Sequence, residues 1–388
     1  MTPTLRGVGR DGGYGMGEGG PCVLMAFHDP LLNGATLSAL RAVPYLEERG
    51  WRFSFWVPAP GPCFEWLAGR EADVRGTFRP VVSGFQALRE PPGIVRRLAA
   101  TPGYLASFSR ALRDANPRLV HANSLYSYAE ALTARAARRP TLLHLHDMAP
   151  RGKLRSARAI ARSGVHHSIG VSRACAASYA HNGWSPGLVY EAAPVPDEAA
   201  PVRESPSPFV VGTVGVVARR KGSDLFVAAA KQLLARFPGR FEFRMVGSPT
   251  DPLEREWGDA VVREAKSAGV VHVPEADVYA ELRGWDAFAL ASRMDPCPIV
   301  MLEAMASGLP VVGARTDGIA EQVTPESGIL VPPDDSRALA AGIERIADAD
   351  VRTRAAMGVA GRRRVETVFS LESQAEGLDA AYRLVLGD

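Results

Sequence analysis

Two carboxylates punctuate the stretch "DPCPIVMLEAMASGLPVV": Asp295 in a Pro-rich turn and Glu303 inside a helical run, with seven residues between them. A charge at such a place is costly to bury unless it faces something polar. The preceding "DAFALAS" reads as a buried strand, and "RMDPCP" reads as the turn that follows it. Pro298 suits the first helical position, where a missing N–H costs little. Asp295 then lies over a helix N-terminus whose free N–H groups favour an anion or a hydroxyl-rich ligand, and Glu303 sits about one turn inside. The plain alternative is that Asp295 caps the helix and Glu303 is a solvated face residue. The segment alone does not separate the two.

Other strand ends carry similar groups. "GVVARRKGSD" follows the strand "FVVGTV" and sets Arg219, Arg220 and Lys221 ahead of a helix that Ser223 could cap. Clustered cations at a strand–helix junction suit a diphosphate, although a solvated basic loop reads the same way. "RTDGIAEQV" brings Asp317, Gly318 and Glu321 to another helix start. "HDPLLNGAT" follows the strand "CVLMAF", and Gly34 would let backbone amides approach a phosphate, although a lone glycine more often only makes a turn. In "HLHD", His144 and His146 share one face of a strand, a spacing that metal-dependent hydrolases use. Against that rival, the pair lies mid-chain. The "DAD" at Asp348–Asp350 resembles a metal motif of a different transferase fold, but in a polar helix end it reads as a solvated turn.

The elements that must position these residues repeat along the chain. "CVLMAF", "RFSFWV", "RLVHAN", "TLLHLH" and "HHSIGV" are strand-like, with helical segments among them. The segment "EAAPVPDEAAPVRESPSP" (191–208) carries five prolines and no apolar periodicity, as a linker would. Beyond it the alternation restarts with "FVVGTVGVV", "FEFRMVG", "VVHV" and "DAFALAS". Strands alternating with helices imply parallel sheets, here two α/β doubly wound domains facing each other across a cleft. Ligands of open α/β sheets bind beyond the C-terminal ends of the strands, which is where the motifs fall.

Taken together, the motifs resemble the retaining glycosyltransferases of family 4, the glycosyl transferases of group 1, with the two-domain GT-B fold. "DPCPIVMLEAMASGLPVVGARTDGIAE" looks like that family's E-x7-E block, "GVVARRKG" like its G-R-L-x-x-x-K-G loop, and "VLMAFHDPLLNGAT" like its N-terminal Gly-Gly phosphate loop. "TLLHLHD" looks like its strand ending in His-Asp, and "SLESQAEGLDAAYRLVLG" like the helix that crosses back to the N-terminal domain.

The resemblance implies an N-terminal acceptor-side domain over 21–190, a nucleotide-sugar-binding domain over 209–369 and a returning helix over 370–388. It also implies transfer of a hexose-type sugar from a UDP- or GDP-sugar to an acceptor hydroxyl with retention. Glu303 would hold the ribose, Asp295 the hydroxyls of the donor sugar, and Lys221 the leaving diphosphate. Gly34, Arg219, Arg220, Ile299 and Val300 would line the donor site, and His146 would stand near the anomeric carbon. No metal and no cofactor beyond the donor is expected.

Asp295 stands where Glu is usual, Cys297-Pro298 replaces Phe-Gly, Asn33 replaces the first glycine, and Val216 stands where the family often has an arginine that Arg219 or Arg220 would have to replace. These departures put the donor sugar in question. Asp295, Pro298 and Val216 also keep open a non-catalytic protein that binds a sugar nucleotide without turnover.

Composition excludes broader classes. The formal charge is +3, with 22% charged and 46% hydrophobic residues, which argues against a general nucleic-acid binder. The basic residues are nearly all arginine; Lys153, Lys221, Lys231 and Lys266 are the lysines. With abundant Ala, Gly and Pro, this fits a GC-rich genome and directs expectation towards secondary-metabolite (antibiotic) or cell-envelope glycan biosynthesis. Cys22, Cys63, Cys175 and Cys297 lack metal-ligand spacing and read as reduced residues of a cytoplasmic protein. Residues 1–20 are Gly-rich and read as a disordered tail. No run is long and apolar enough to span a membrane. The basic segment "RGKLRSARAIAR" (151–162), with Leu154, Ala157 and Ile160 as an inner face, reads first as a solvated helix and second as a contact for a phosphorylated acceptor or an anionic membrane surface.

Overall fold

The computed structural model describes residues 20–70, 74–76, 91–150, 152, 154–163, 165–204 and 207–388, with the backbone alone at 74–76, 91–101 and 154. The expected tail lies outside the described residues, except for Gly20, as do Arg151 and Lys153 of the basic segment. The chain forms two compact units. One is Ala192–Ser370; the other joins the residues before it, up to Glu191, to Leu371–Asp388.

The first unit is built on seven strands: β1 (Cys22–Ala26), β2 (Arg52–Val57), β3 (Val74–Gly76), β4 (Leu119–Ala122), β5 (Thr141–Leu145), β6 (His167–Gly170) and β7 (Gly187–Leu188). They lie in the order β3-β2-β1-β4-β5-β6-β7, all parallel. Strands covered by helices on both faces should be continuous apolar runs. Accordingly Val23, Leu24, Met25 and Ala26 of β1 are all fully buried. The last helix, Leu371–Leu386, belongs to this unit and packs on the helix Gly34–Glu47. Its residues Ala375, Leu378 and Tyr382 follow helical spacing and are sealed from solvent. Trp51 donates its indole N–H to Asp379 at 2.7 Å.

The second unit repeats the design with six strands: β8 (Phe209–Val214), β9 (Phe241–Val246), β10 (Val271–Val273), β11 (Ala287–Leu290), β12 (Val311–Ala314) and β13 (Gly328–Val331). Their order is β10-β9-β8-β11-β12-β13, again all parallel. Phe226, Phe243, Leu233 and Ile343 fill the core on one face. In both units the order reverses beside the first strand, at β1/β4 and at β8/β11. Such a reversal leaves a crevice beyond the strand ends, because neighbouring connections leave in opposite directions.

The α/β doubly wound, GT-B-like architecture agrees with the sequence reading. The strands β3, β7 and β13 were not anticipated, being two to four residues long and carrying little period-2 signal of their own. Two local expectations are corrected. Pro298 is not the first helical residue but the N-cap, extended at φ −68°, ψ 113°, so the helix begins at Ile299. Ser223 does not cap its helix: Gly222 holds the N-cap in a left-handed conformation, and the Ser223 hydroxyl accepts the Ala218 N–H at 3.4 Å instead.

Candidate functional site

In the second unit the polar residues collect where β8 and β11 diverge. The loop after β8 ends in a short 3-10 turn, Arg219–Lys221, and then Gly222. Gly222 has φ +66°, and a Cβ there would run into the carbonyl oxygen of Ala291 just past β11. Only glycine lets the loop press this close. The approach brings Lys221 to the loop after β11, where its ammonium lies 2.6 Å from the Asp295 carboxylate, with side chains 14% and 6% exposed. Ser292 donates its hydroxyl to the same carboxylate oxygen at 3.2 Å.

The loop bearing Asp295 is tied to the one after β12. Asp295 N–H donates to the Asp317 carboxylate at 2.9 Å, and Gly318 N–H donates to Asp295 O at 3.1 Å. Gly318 has to be glycine because a Cβ would strike the Pro296 carbonyl. Asp317 and Gly318, singled out in the sequence with a helix start behind them, therefore brace the Asp295 turn.

Arg293 is a third brace that the sequence reading passed over. It pairs with Asp224 through two 2.8 Å bonds, also pairs with Asp334, and donates to Arg219 O at 2.9 Å. Burial alone would push the Asp224 carboxyl up; the hydrogen bond and charge of Arg293 outweigh it and hold the group below its usual range. The Arg220 carbonyl accepts the N–H groups of Arg293 and Met294 at 2.8 and 3.2 Å. The cation loop and the acid loop are thus one hydrogen-bonded body.

Glu303 lies on the helix Ile299–Ala306 that leaves this turn. Its neighbours Met301, Leu302, Ala304, Met305 and Ala306 are fully buried, and Glu303 itself is 6% exposed. The solvated-face reading of Glu303 is therefore set aside: the helix has no polar outer face there. The capping reading of Asp295 is set aside as well, because no side chain caps this helix. Ile299 and Val300, both partly exposed, supply N–H groups ahead of the first intrahelical bonds. Arg219 is exposed, with its guanidinium 4.7 Å over the Trp257 ring and its N–H on Glu254 at 2.9 Å. Arg220 is exposed and forms no ion pair among the described residues, so of the two replacements weighed for an arginine at Val216 it has the freer side chain.

In the first unit Gly34 opens the helix Gly34–Glu47, with Asn33 as its N-cap accepting Thr36 N–H at 3.0 Å. Asn33, which stands where the resembled loop has a glycine, thus satisfies a helix donor with its side chain. Asp29 accepts the Leu31 N–H at 2.9 Å and the Asn33 amide at 3.1 Å, and lies 2.9 Å from the His28 ring.

His146 follows β5 and is held on both sides. Its Nδ1 is 2.6 Å from Glu191 and its Nε2 is 3.1 Å from the Asn123 side-chain oxygen. His144 does share its face, with ring centroids 4.1 Å apart, but it is fully buried and both of its nitrogens lack a hydrogen-bond partner. Burial drives its pKa well down, and the charges of His146 and His121 add to this. His121 lies 5.3 Å further along the stack, lowered to about 3 by burial and then by His146. Among the described residues no His, Cys, Asp or Glu group is arranged to hold a metal, which leaves the His144/His146 hydrolase reading without a site. The "DAD" acids are structural: Asp348 pairs with Arg240, and Asp350 caps a helix through Thr353 N–H at 2.7 Å.

Glu191, Asn123, His121 and Arg293 were not singled out in the sequence. Their partners are far along the chain, and no local spacing announces them.

Two family models match the chain. One is described as a glycosyl transferase 4-like domain, over residues 33–180; the other is glycosyl transferases group 1, over residues 208–349. Fold, motifs and both matches agree: the chain belongs to the group 1 glycosyltransferases with the GT-B fold.

Among its relatives is a GDP-mannose-dependent monoacylated alpha-(1-6)-phosphatidylinositol monomannoside mannosyltransferase of Corynebacterium glutamicum. It is 33% identical over 167 residues, 41% of this chain and 43% of the relative. A D-inositol 3-phosphate glycosyltransferase of Rhodococcus erythropolis is 31% identical over 191 residues, 46% of this chain and 42% of the relative. The chain thus spans about half the length of the curated relatives it matches. Among solved structures, HepE of Anabaena in complex with UDP and glucose superposes with a TM-score of 0.75 at 20% identity, covering 92% of this chain and 98% of that one. Sucrose-phosphate synthase of Thermosynechococcus elongatus also gives 0.75 at 20% identity, covering 95% and 99%. These two likenesses concern the fold. No helix among the described residues is long and apolar enough to cross a membrane.

Proposed function

We propose that the chain transfers a sugar from a nucleoside diphosphate donor to an acceptor hydroxyl with retention of configuration. The observation that carries this reading is Glu303, a carboxylate buried in an otherwise apolar helix that follows the turn bearing Asp295, the partner of Lys221. A buried acid is informative where a buried leucine is not. Glu303 accepts the ribose hydroxyls, and Asp295 accepts hydroxyls of the donor sugar. Lys221 turns from Asp295 to the diphosphate as negative charge grows there. Arg220, the N–H groups of Ile299 and Val300, and Arg219 at the margin complete the donor contacts.

Gly34 would serve the phosphates through its backbone and His146 the anomeric carbon, the roles that the family resemblance implies. A phosphate oxygen of the leaving group can take the acceptor's proton, so no side-chain base is required. The cations present carry the charge stabilisation, so the proposal includes transfer without a divalent metal. One relative named for GDP-mannose and one structural neighbour solved with UDP support a nucleoside diphosphate without choosing the base. A secondary-metabolite or envelope-glycan acceptor and a cytoplasmic setting belong to the same proposal.

The test is nucleotide release and product formation from UDP- and GDP-sugars in the presence of EDTA. Turnover that survives chelation supports the reading, and turnover that requires added metal contradicts the metal-independent part. Tight nucleotide binding with no turnover on any acceptor would favour the non-catalytic alternative, to which Asp295, Pro298 and Val216 point.

A further inference from the structure

We propose that Glu191 is a positioning residue for His146, holding the imidazole with a hydrogen on each nitrogen and coupling it to the C-terminal helix. This rests on the reading that His146 serves the transfer.

The hydrogen placement follows from the neighbours. Asn123 donates its amide to Ala35 O at 3.1 Å, which fixes the side chain with its oxygen towards His146. That oxygen can only accept, so Nε2, at 3.1 Å, carries a hydrogen. The Glu191 carboxylate can likewise only accept, so Nδ1, at 2.6 Å, carries one too. The ring is then a cation balanced by Glu191, in a setting where the two side chains are 5% and 4% exposed.

The second carboxylate oxygen of Glu191 accepts the Ser38 hydroxyl and, at 3.3 Å, the amide of Gln374, which also donates to Ser38 at 2.7 Å. Gln374 lies on the helix Leu371–Leu386, and Ser38 on the helix Gly34–Glu47. Two helices therefore converge, through Ser38 and Gln374, on the Glu191 carboxylate. Their effect is to fix the plane of the ring at the end of β5. A ring so fixed offers its Nε2–H in one direction, and a substrate hydroxyl can take the place that Asn123 now holds. Without Glu191 the ring loses its balancing charge and one of its two hydrogens.

The test uses the full chain with its eight histidines labelled with 15N. The His146 signals are identified by their loss in His146→Asn. The expected result is a ring with two N–H groups in the wild type and one in Glu191→Gln. With the donor that supports turnover, Glu191→Gln should lower kcat tenfold or more while donor KM stays within twofold. Glu191→Asp should recover part of the loss. Ser38→Ala, which touches only the far carboxylate oxygen, should show a smaller loss of the same kind and covers the case in which Glu191→Gln fails to fold.

A single N–H on the wild-type ring, or an unchanged pattern in Glu191→Gln, overturns the proposal. So does a changed pattern with kcat unaffected. If the wild type turns over no donor, the transfer reading fails, and the spectra still decide whether Glu191 orders the ring.

Discussion

The two units share a strand order and differ in what they place at its reversal. At β8/β11 the polar residues come from loops that follow adjacent strands. They form matched pairs at the margin of solvent: Lys221 with Asp295, and Arg293 with Asp224 and Asp334. On β4 and β5 the first unit stacks His121 and His144, with His146 just past β5, and the partners of His121 and His146 come from residues 123, 191 and 382. In the proposed function the first arrangement has charges that exchange partners when an anion arrives. The second has groups fixed by burial, one of them, His144, with no hydrogen-bond partner among the described residues. One topology therefore supports an adaptable electrostatic site and a rigid positioning core, and side chains alone decide which.

The sharpest way to break this contrast is Lys221→Ala. It removes the exchangeable cation and leaves Asp295 without its partner. Loss of one well-placed stabilising group typically costs about 3–4 kcal/mol of barrier, a hundredfold or more in rate. Nucleotide affinity should fall less than kcat, as measured by steady-state kinetics beside calorimetry. A loss of affinity with kcat unchanged would mean that Lys221 contributes binding alone.

Acid should strike the first unit through its histidines. His121 lies at about 3 in the folded chain and near 6.5 when unfolded, and His144 is lowered in the same direction. Below the unfolded value the unfolded chain takes up protons that the folded rings do not. Stability is therefore full above roughly pH 6.5 and is lost as the pH falls towards 3. At pH 5 the loss from His121 alone is about 2 kcal/mol, readable as a lower urea midpoint than at pH 7.5. His144→Leu should be neutral or stabilising at neutral pH, because a buried ring without partners gives way to an apolar group.

The smallest expected effect is that of Tyr382→Phe. The Tyr382 hydroxyl lies 2.7 Å from His121 Nδ1 on the C-terminal helix. Its loss should cost about 1 kcal/mol of stability and leave nucleotide affinity unchanged.

The same contrast explains what was legible in the sequence. The alternation of strand and helix, and the apolar runs such as "CVLMAF", gave the two doubly wound sheets before any coordinates. Asp295 and Lys221 could be read because they lie five and seven residues past their strand ends, and Glu303 because it sits about one turn inside the helix that follows, where local spacing carries the signal. The pairing of Lys221 with Asp295 could not be read, since it depends on how closely Gly222 presses on Ala291. Glu191 was hidden further still: it lies in the Pro-rich stretch read as a linker, yet it is buried against His146 and Ser38. Sequence proximity had no bearing on that contact. The caps misplaced at Ser223 and Pro298 are one-residue errors, caused by a left-handed glycine and by an extended proline.

The most direct test of the central claim is calorimetric titration of the wild type and Glu303→Ala with UDP, GDP and ADP, without added metal. The account predicts that one nucleotide binds the wild type preferentially and that Glu303→Ala weakens it roughly tenfold or more, the loss expected of a hydrogen bond to a charged group. Equal affinity in a folded Glu303→Ala variant, or no binding of any nucleotide to the wild type, would contradict it.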